Sequence, residues 1–525
     1  MEEKPYPVRK MTAKLVSISD KTNHAPQSDV MVAADADAQM DVPPKPGAFG
    51  GADGGQPNVV SCRIDDILPA LQQECSNGGR LEMLYVRPKS GSAFELCYLV
   101  NHAESGRFVM IVSEAMDVAP SMARHFPLLG WYEREIQDLF GIKFAGHPEP
   151  YPLVRHDHKD GRKPLSHDPD VQRFPFGPIR ADVVESAEFA FYYAGEAILH
   201  YHPHLFFKHR GMERRFEGLT PQTGVIFAER VSGIGSFAHA LAFAQACEVA
   251  SGCVVPQRAK MLRSLLGELE RIYNHLAYLG HLADTTTLKV GQAEGKLLAE
   301  RAKQINGKLT GSRFLRSVIA PGGLRRDLEL KAWFELDLDR LRGQAEWYTN
   351  FLLASNSFRD RLLTTGPLDQ RTAYDQGATG PIARASGIDR DLRRDHSYAA
   401  YDTLAVPVPV RQKGDADARF RVRIEELFAS FDMVKALFRR LEKGPVLSSY
   451  TQEAYAEGLG WAESPRGSLF YAVHFGPEGR LQHVKIKSPS FSNWRVFPFT
   501  VQDSNMMDYA INEASFGLST AGCDR

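Results

Sequence analysis

Cysteine is scarce in this sequence, and it is scattered. Six occur in 525 residues, Cys62, Cys75, Cys97, Cys247, Cys253 and Cys523, and no two form a C-x-x-C pair. That spacing offers no local zinc or iron–sulfur framework, and scattered cysteines in so long a chain suit a reducing compartment. An excess of either charge is missing too. The 63 Lys+Arg and 64 Asp+Glu leave a formal net charge of −1, which gives no global attraction for nucleic acid or an anionic membrane. No apolar run approaches the roughly 18 residues of a spanning helix, and the opening MEEKPYPVRK lacks the apolar core of a secretory leader. Any membrane association would therefore come through partners. No Gly-rich strand-to-helix fingerprint of a dinucleotide site appears, so dinucleotide binding by this chain is not expected.

What is present reads as a soluble α+β protein of more than one domain, with 43% hydrophobic and 24% charged residues. Residues 1–58 are rich in Ala, Asp, Gly and Pro, ending PPKPGAFGGADGGQP, and read as a mobile tail and linker. Residues 59–152 form an α+β domain, with a helix over 64–73 and strands over 81–86 and 107–112. In the following string, Trp131 to Ile142, Glu133, Arg134 and Asp138 sit at helical spacing, so Arg134 can pair with a carboxylate one turn away. Residues 153–176 are polar and Pro-punctuated, an interdomain linker whose His156, His158 and His167 read as solvated loop residues. The second domain, 177–525, opens with a small antiparallel sheet near 188–199 and continues mainly helical. Helices are expected at 237–250, at 293–310, 327–350 and 420–443, and along a long stripe from Pro256 through Met261, Leu265, Leu269, Ile272, Leu276 and Leu279.

Several strings carry more than periodicity. The first is E-R-E-x-x-D-L-F-G-I-x-F-x-G-H-P over 133–148, and the second is H-R-G-M-E over 209–213. Then come R-V-S-G-I-G-S-F-A-H over 230–239, P-G-G-L-R-R-D-L over 321–328 and G-P-I-A-R-A-S-G over 380–387. S-P-S-F-S-N-W over 488–494 precedes a closing L-S-T-A-G-C-D-R over 518–525. The first string resembles the smaller of two adjoining peripheral-arm subunits of respiratory complex I, a domain also fused to the front of formate-hydrogenlyase-type hydrogenase large subunits. The others, in this order, resemble nickel–iron hydrogenase large subunits and the larger complex I subunit.

The resemblance implies a specific expectation about metal. In the hydrogenase family four cysteines, two from each of the 230–239 and 518–525 segments, hold the nickel and iron. The aligned positions here are Ser232, Gly235, Ser519 and Gly522. A hydroxyl does not replace a soft thiolate and a glycine has nothing to offer, so no nickel–iron centre is expected. Cys523, one residue past the second closing position, could restore one thiolate and not four. Complex I carries a histidine turn, H-P-x-x-H-G, where quinone binds; the corresponding stretch, residues 180–184, has no histidine. The chain ends where mature hydrogenases end after a C-terminal peptide is clipped, which fits a protein that receives no nickel and equally a processed one.

Three residues carry over as site candidates. Glu213 is a proton-relay carboxylate if a dry setting raises its pKa toward neutrality, or a surface charge in a basic run. His239 is a second proton carrier. Arg384 would overhang the cavity, and without a metal below it would pair with Glu213, with an anion, or in a simple salt bridge. The resemblance also implies partners: an iron–sulfur small subunit, further iron–sulfur proteins, and antiporter-like and anchor membrane subunits at the cytoplasmic face of the inner membrane. Electrons would then reach a quinone or another acceptor. The alternatives are a non-catalytic coupling subunit and, remotely, an active hydrogenase with other ligands.

Overall fold

The first third of the chain builds a sheet because its strands are nearly continuous apolar runs. The computed structural model describes residues 56–89, 94–115, 117–155, 170–179 and 185–525. Most of the expected tail, all three linker histidines and residues 180–184 lie outside the described residues. Strands Arg80–Pro88, Phe94–His102 and Arg107–Ala115 pair antiparallel, and Asn58–Ser61 adds a parallel edge. Seven consecutive residues of the middle strand, from Leu96 to His102, are buried, which is why it shows little alternation. The helix expected over 64–73 starts as a 3₁₀ turn, Ile64–Asp66, and continues as Ile67–Ser76.

A second helix, Gly130–Phe140, carries the first string and ends at Gly141, which takes the left-handed conformation (φ 80°) that closes a helix. Its charges do not pair with one another. Arg134 reaches forward to Tyr151 O (2.7 Å) and Pro152 O (2.9 Å), with Glu149 at 3.4 Å. Asp138 accepts Leu153 N and Val154 N. The expected contact one turn away is thus replaced by contacts to the returning chain.

In the second part, helices Ser236–Ser251, Gln257–Thr285, Lys289–Thr310, Ala332–Ala354 and Ala416–Arg440 assemble around one large apolar cluster. Pro256 precedes the long helix as its N-cap rather than lying in its first turn. The expected sheet is present as Gln172–Phe176, Glu188–Ala194 and Ala197–His204. A second antiparallel sheet, Glu457–Ser464, Gly467–Phe475 and Leu481–Lys487, was not legible in the sequence. Its middle strand is buried along its whole length, so no polar face betrays it. Glycine makes its docking possible: a Cβ at Gly458 or Gly460 would stand 2.0 or 2.1 Å from the Ala246 or Ala242 carbonyl of helix Ser236–Ser251.

The two parts share a core. Phe108 of the first sheet packs edge-on against Phe470 and near Trp461, and Trp131 and Tyr132 lie against Phe491. Among the described residues no helix is long and apolar enough to cross a membrane.

Candidate functional site

The two segments at 230–239 and 518–525 come together, and Arg210 ties them. Its guanidinium donates to Arg230 O (2.9 Å) and Val231 O (2.7 Å) of one segment and to Ala521 O (3.0 Å) of the other. The closing segment forms a short helix, Thr520–Asp524, capped by Ser519, whose Oγ accepts Gly522 N at 3.0 Å. That Oγ also donates to Glu185 Oε1 at 3.2 Å, and the other Glu185 oxygen accepts Thr520 N. A Cβ built on Gly522 would lie 3.4 Å from Ser232 Oγ and 3.4 Å from Ser519 Oγ. Three of the four positions therefore converge on one point. Gly235 begins helix Ser236–Ser251, where a Cβ would stand 3.7 Å from the His239 ring.

Glu213 is largely buried, but it is paired with cations rather than left without a counter-charge. Lys485 Nζ lies 3.1 Å from its carboxylate, Arg525 Nη1 lies 3.0 Å away, and Ile486 N donates at 3.0 Å. Burial pushes its pKa up, but Lys485 and Arg525 together outweigh it and hold the carboxyl below its usual range. The same two cations also bind Glu135, from helix Gly130–Phe140. His239 donates or accepts at Nδ1 with Tyr471 Oη, 2.8 Å away. Burial, with Arg210 nearby, lowers its pKa to about 3, so the imidazole is neutral.

Arg384 meets neither Glu213 nor the two segments. It is fully buried between Glu426 (2.6 Å), Glu463 (3.1 Å) and Asp391 (3.3 Å). Arg393 binds Asp391 (2.7 Å) and Glu268 (3.1 Å), and Arg271 binds Glu268 (3.2 Å). Four carboxylates face three guanidiniums in this cage. The surplus falls on Glu463, which burial and the neighbouring Asp391 charge push up to about 7. Arg466 touches the residue just before the closing segment, donating from Nε to Gly517 O at 2.6 Å.

Comparison with known proteins follows the same division of the chain. Family models match residues 60–175 (respiratory-chain NADH dehydrogenase, 30 Kd subunit), 210–310 (nickel-dependent hydrogenase) and 298–458 (respiratory-chain NADH dehydrogenase, 49 Kd subunit). Formate hydrogenlyase subunit 5 of Escherichia coli is 29% identical over 420 residues, 74% of each chain. NADH-quinone oxidoreductase subunit 4 of Thermus thermophilus is 31% identical over 366 residues, 63% of this chain and 88% of that one. The chain belongs to the family of the respiratory-chain NADH dehydrogenase 49 Kd subunit. One solved structure, of the membrane-bound sulfane sulfur reductase, an archaeal respiratory membrane complex, shares the fold at TM-score 0.65 and 23% identity, covering 69% of this chain and all of its own.

Ser232, Gly235, Ser519 and Gly522 offer two hydroxyls and no thiol, a donor set that does not fit a nickel–iron centre, which takes soft thiolates. The one nearby thiol, Cys523, is fully buried, and burial raises its pKa well above the usual value, away from the thiolate form. Sequence reading missed Glu135, Glu185, Lys485 and Arg466. For Glu135 the signal was available, since it stands inside the first string; the other three have no local pattern to announce them. It also missed Asp524, whose carboxyl burial pushes up to about 7 while Oδ2 accepts Lys208 N at 2.9 Å and Oδ1 has no partner among the described residues.

Proposed function

We propose that this 49 Kd-family chain is the large peripheral subunit of a membrane-associated oxidoreductase, holds no nickel–iron centre, and passes electrons from a neighbouring iron–sulfur protein to a quinone or another acceptor. The observation that carries the reading is the convergence of Ser232, Ser519 and Gly522. On this reading the four aligned positions carry two hydroxyls and two glycines, and none of them offers a soft donor. Serine and glycine are not redox-active, so the electrons would come from the partner and leave on a small acceptor. The names of the relatives, drawn from both quinone reduction and formate hydrogenlyase, support a place in such a complex. Antiporter-like and anchor subunits would attach it at the cytoplasmic face of the inner membrane.

In this reading Glu213 and His239 do not carry protons. Glu213 is held ionised by two cations, and His239 is held neutral far from its ordinary range. Asp524 replaces them as the proton-exchanging group, because its carboxyl titrates near neutrality beside the paired segments. The test is metal analysis of the purified complex together with hydrogen uptake and a panel of quinones. Iron without stoichiometric nickel, no hydrogen uptake and quinone reduction lost in Asp524→Asn are the expected results. Stoichiometric nickel with hydrogen activity would overturn the reading.

One observation favours a second reading, a coupling subunit without an acceptor site of its own. The salt-bridged Glu213 is placed to join the two parts of the chain rather than to react. That reading predicts normal turnover in both Glu213→Gln and Asp524→Asn, with assembly sensitive to surface changes instead.

A further inference from the structure

A cavity of about 240 Å³ lies against the paired segments, with Ile234 and Leu518 on its wall. Among the described residues no Asp or Glu lines it, yet Arg423, Arg466 and Lys303 all do. Among the same residues none of the three forms a salt bridge. Arg423 donates to three carbonyls, Arg419 O, Ser515 O and Phe516 O, and lies 4.1 Å over the Tyr278 ring. Arg466 donates to Gly517 O and to Asn274 Oδ1 (3.1 Å), which leaves its Nη2 without a hydrogen bond among the described residues. Lys303 Nζ stands 5.7 Å from the Tyr273 ring and 5.5 Å from Phe314.

Carboxylates act on these cations only from outside the cavity wall: Glu426 reaches Arg423 and Glu300 reaches Lys303, without an ion pair to either among the described residues. Glu185 and Glu270 both act on Arg466, but each is engaged with backbone amides: Glu185 with Thr520 N, Glu270 with Phe237 N and Ala238 N. His275, also on the wall, faces Glu426 at 2.9 Å, and burial lowers its pKa to about 4, so it adds no charge. Burial lowers all three cations' pKa values, Arg466 to about 10 with Arg423 repelling it. Cations wholly or partly out of water without a direct ion-pair partner are costly, and an anion entering the cavity relieves that cost. The walls set its shape. Three aromatic rings and a volume larger than the about 150 Å³ that accommodates benzene suit a flat body.

We infer that the cavity is a binding site for a small flat organic anion, a carboxylate or sulfonate on an aromatic-sized body, held by Arg466 and Lys303 between the rings of Tyr273 and Phe314. The inference goes beyond the electron-transfer reading and stands whether or not electrons pass there, since it concerns binding alone.

The test is titration calorimetry of the full chain with benzoate and benzenesulfonate, and with benzamide as the neutral counterpart, in low-chloride buffer. The expected result is one anion per chain, benzamide weaker by about tenfold or more, and a similar loss for benzoate in Lys303→Met and Arg466→Gln. Lys303 is partly exposed, so Lys303→Met keeps the fold, with circular dichroism as the check. Equal binding of benzamide and benzoate, no binding by the folded wild type, or unchanged binding in both variants would each overturn the site. So would benzoate binding to the isolated chain that disappears in the assembled complex, since a partner's carboxylate would then be the natural occupant.

Discussion

Lys485 Nζ lies 2.8 Å from Glu135 Oε2, 350 positions away in the sequence. The contact belongs to a closed set of four. Glu135 and Glu213 supply two carboxylates, and Lys485 and Arg525 supply two cations, each cation touching both acids. The set links the first sheet-and-helix part, the segment at 209–213, a strand of the second sheet and the closing segment.

Removing one acid should leave two cations sharing the other. Glu135→Ala is expected to cost about 3–5 kcal/mol, the scale for stripping one partner from a buried pair. Urea denaturation measures it. The double variant with Lys485→Met should lose less than the sum of the two single losses, and additive losses would show that the pair is not coupled.

The convergence of the metal-position residues can be trapped chemically. A Cβ at Gly522 would stand 3.4 Å from Ser232 Oγ, so a sulfur in place of that oxygen is within reach of one on residue 522. The pair Ser232→Cys with Gly522→Cys should therefore cross-link on mild oxidation. Mass analysis of protease fragments would reveal the link, and free thiols after oxidation would refute the geometry.

Glu463 predicts a pH dependence. Its pKa rises from 4.5 to about 7 on folding, so the native state binds the proton more tightly than the unfolded chain. Its stabilising contribution is full below about pH 4.5 and is lost as pH rises through 7. Glu463→Gln should remove that loss. The variant should gain on the wild type by on the order of 1 kcal/mol per pH unit across the window, because one pKa unit is worth about 1.4 kcal/mol. Thermal melts at pH 5 and pH 8 give the comparison, and parallel curves would count against it.

His239 has the opposite sign. Its pKa falls from 6.5 to about 3, so its contribution is full above about pH 6.5 and is lost as pH falls toward 3. His239→Gln should flatten the acid side of the stability curve. Tyr471→Phe should cost about 1–3 kcal/mol by leaving Nδ1 unpaired in the core, and denaturation at pH 7 would register it.

The elements read most successfully were those with strong near-neighbour patterns. The stripe from Met261 to Leu279 foretold the long helix because every third or fourth position faces the same core. The sheet at 457–487 escaped because a strand buried on both faces has no alternation to read. For Arg384 the salt-bridge alternative is the one that forms, with partners that the sequence did not name. Its string placed it in the right family, and nothing nearby in sequence announced Glu426 or Glu463, which enclose it.

The sequence by itself determined which side chains are available: hydroxyl, hydrogen and no thiol at 232, 235, 519 and 522, in segments whose order marks the family. Chain connectivity alone settles that, because a missing sulfur cannot be supplied by folding. The tertiary structure decided the charge states. Glu213 remains ionised because Lys485 and Arg525 reach it from distant segments, while Asp524 is raised toward 7 because burial removes its solvent and no cation pairs with it closely enough to compensate. Both are carboxylates beside the same segment. Through-space electrostatics in a dry interior separates them, and it depends on neighbours that sequence spacing does not encode.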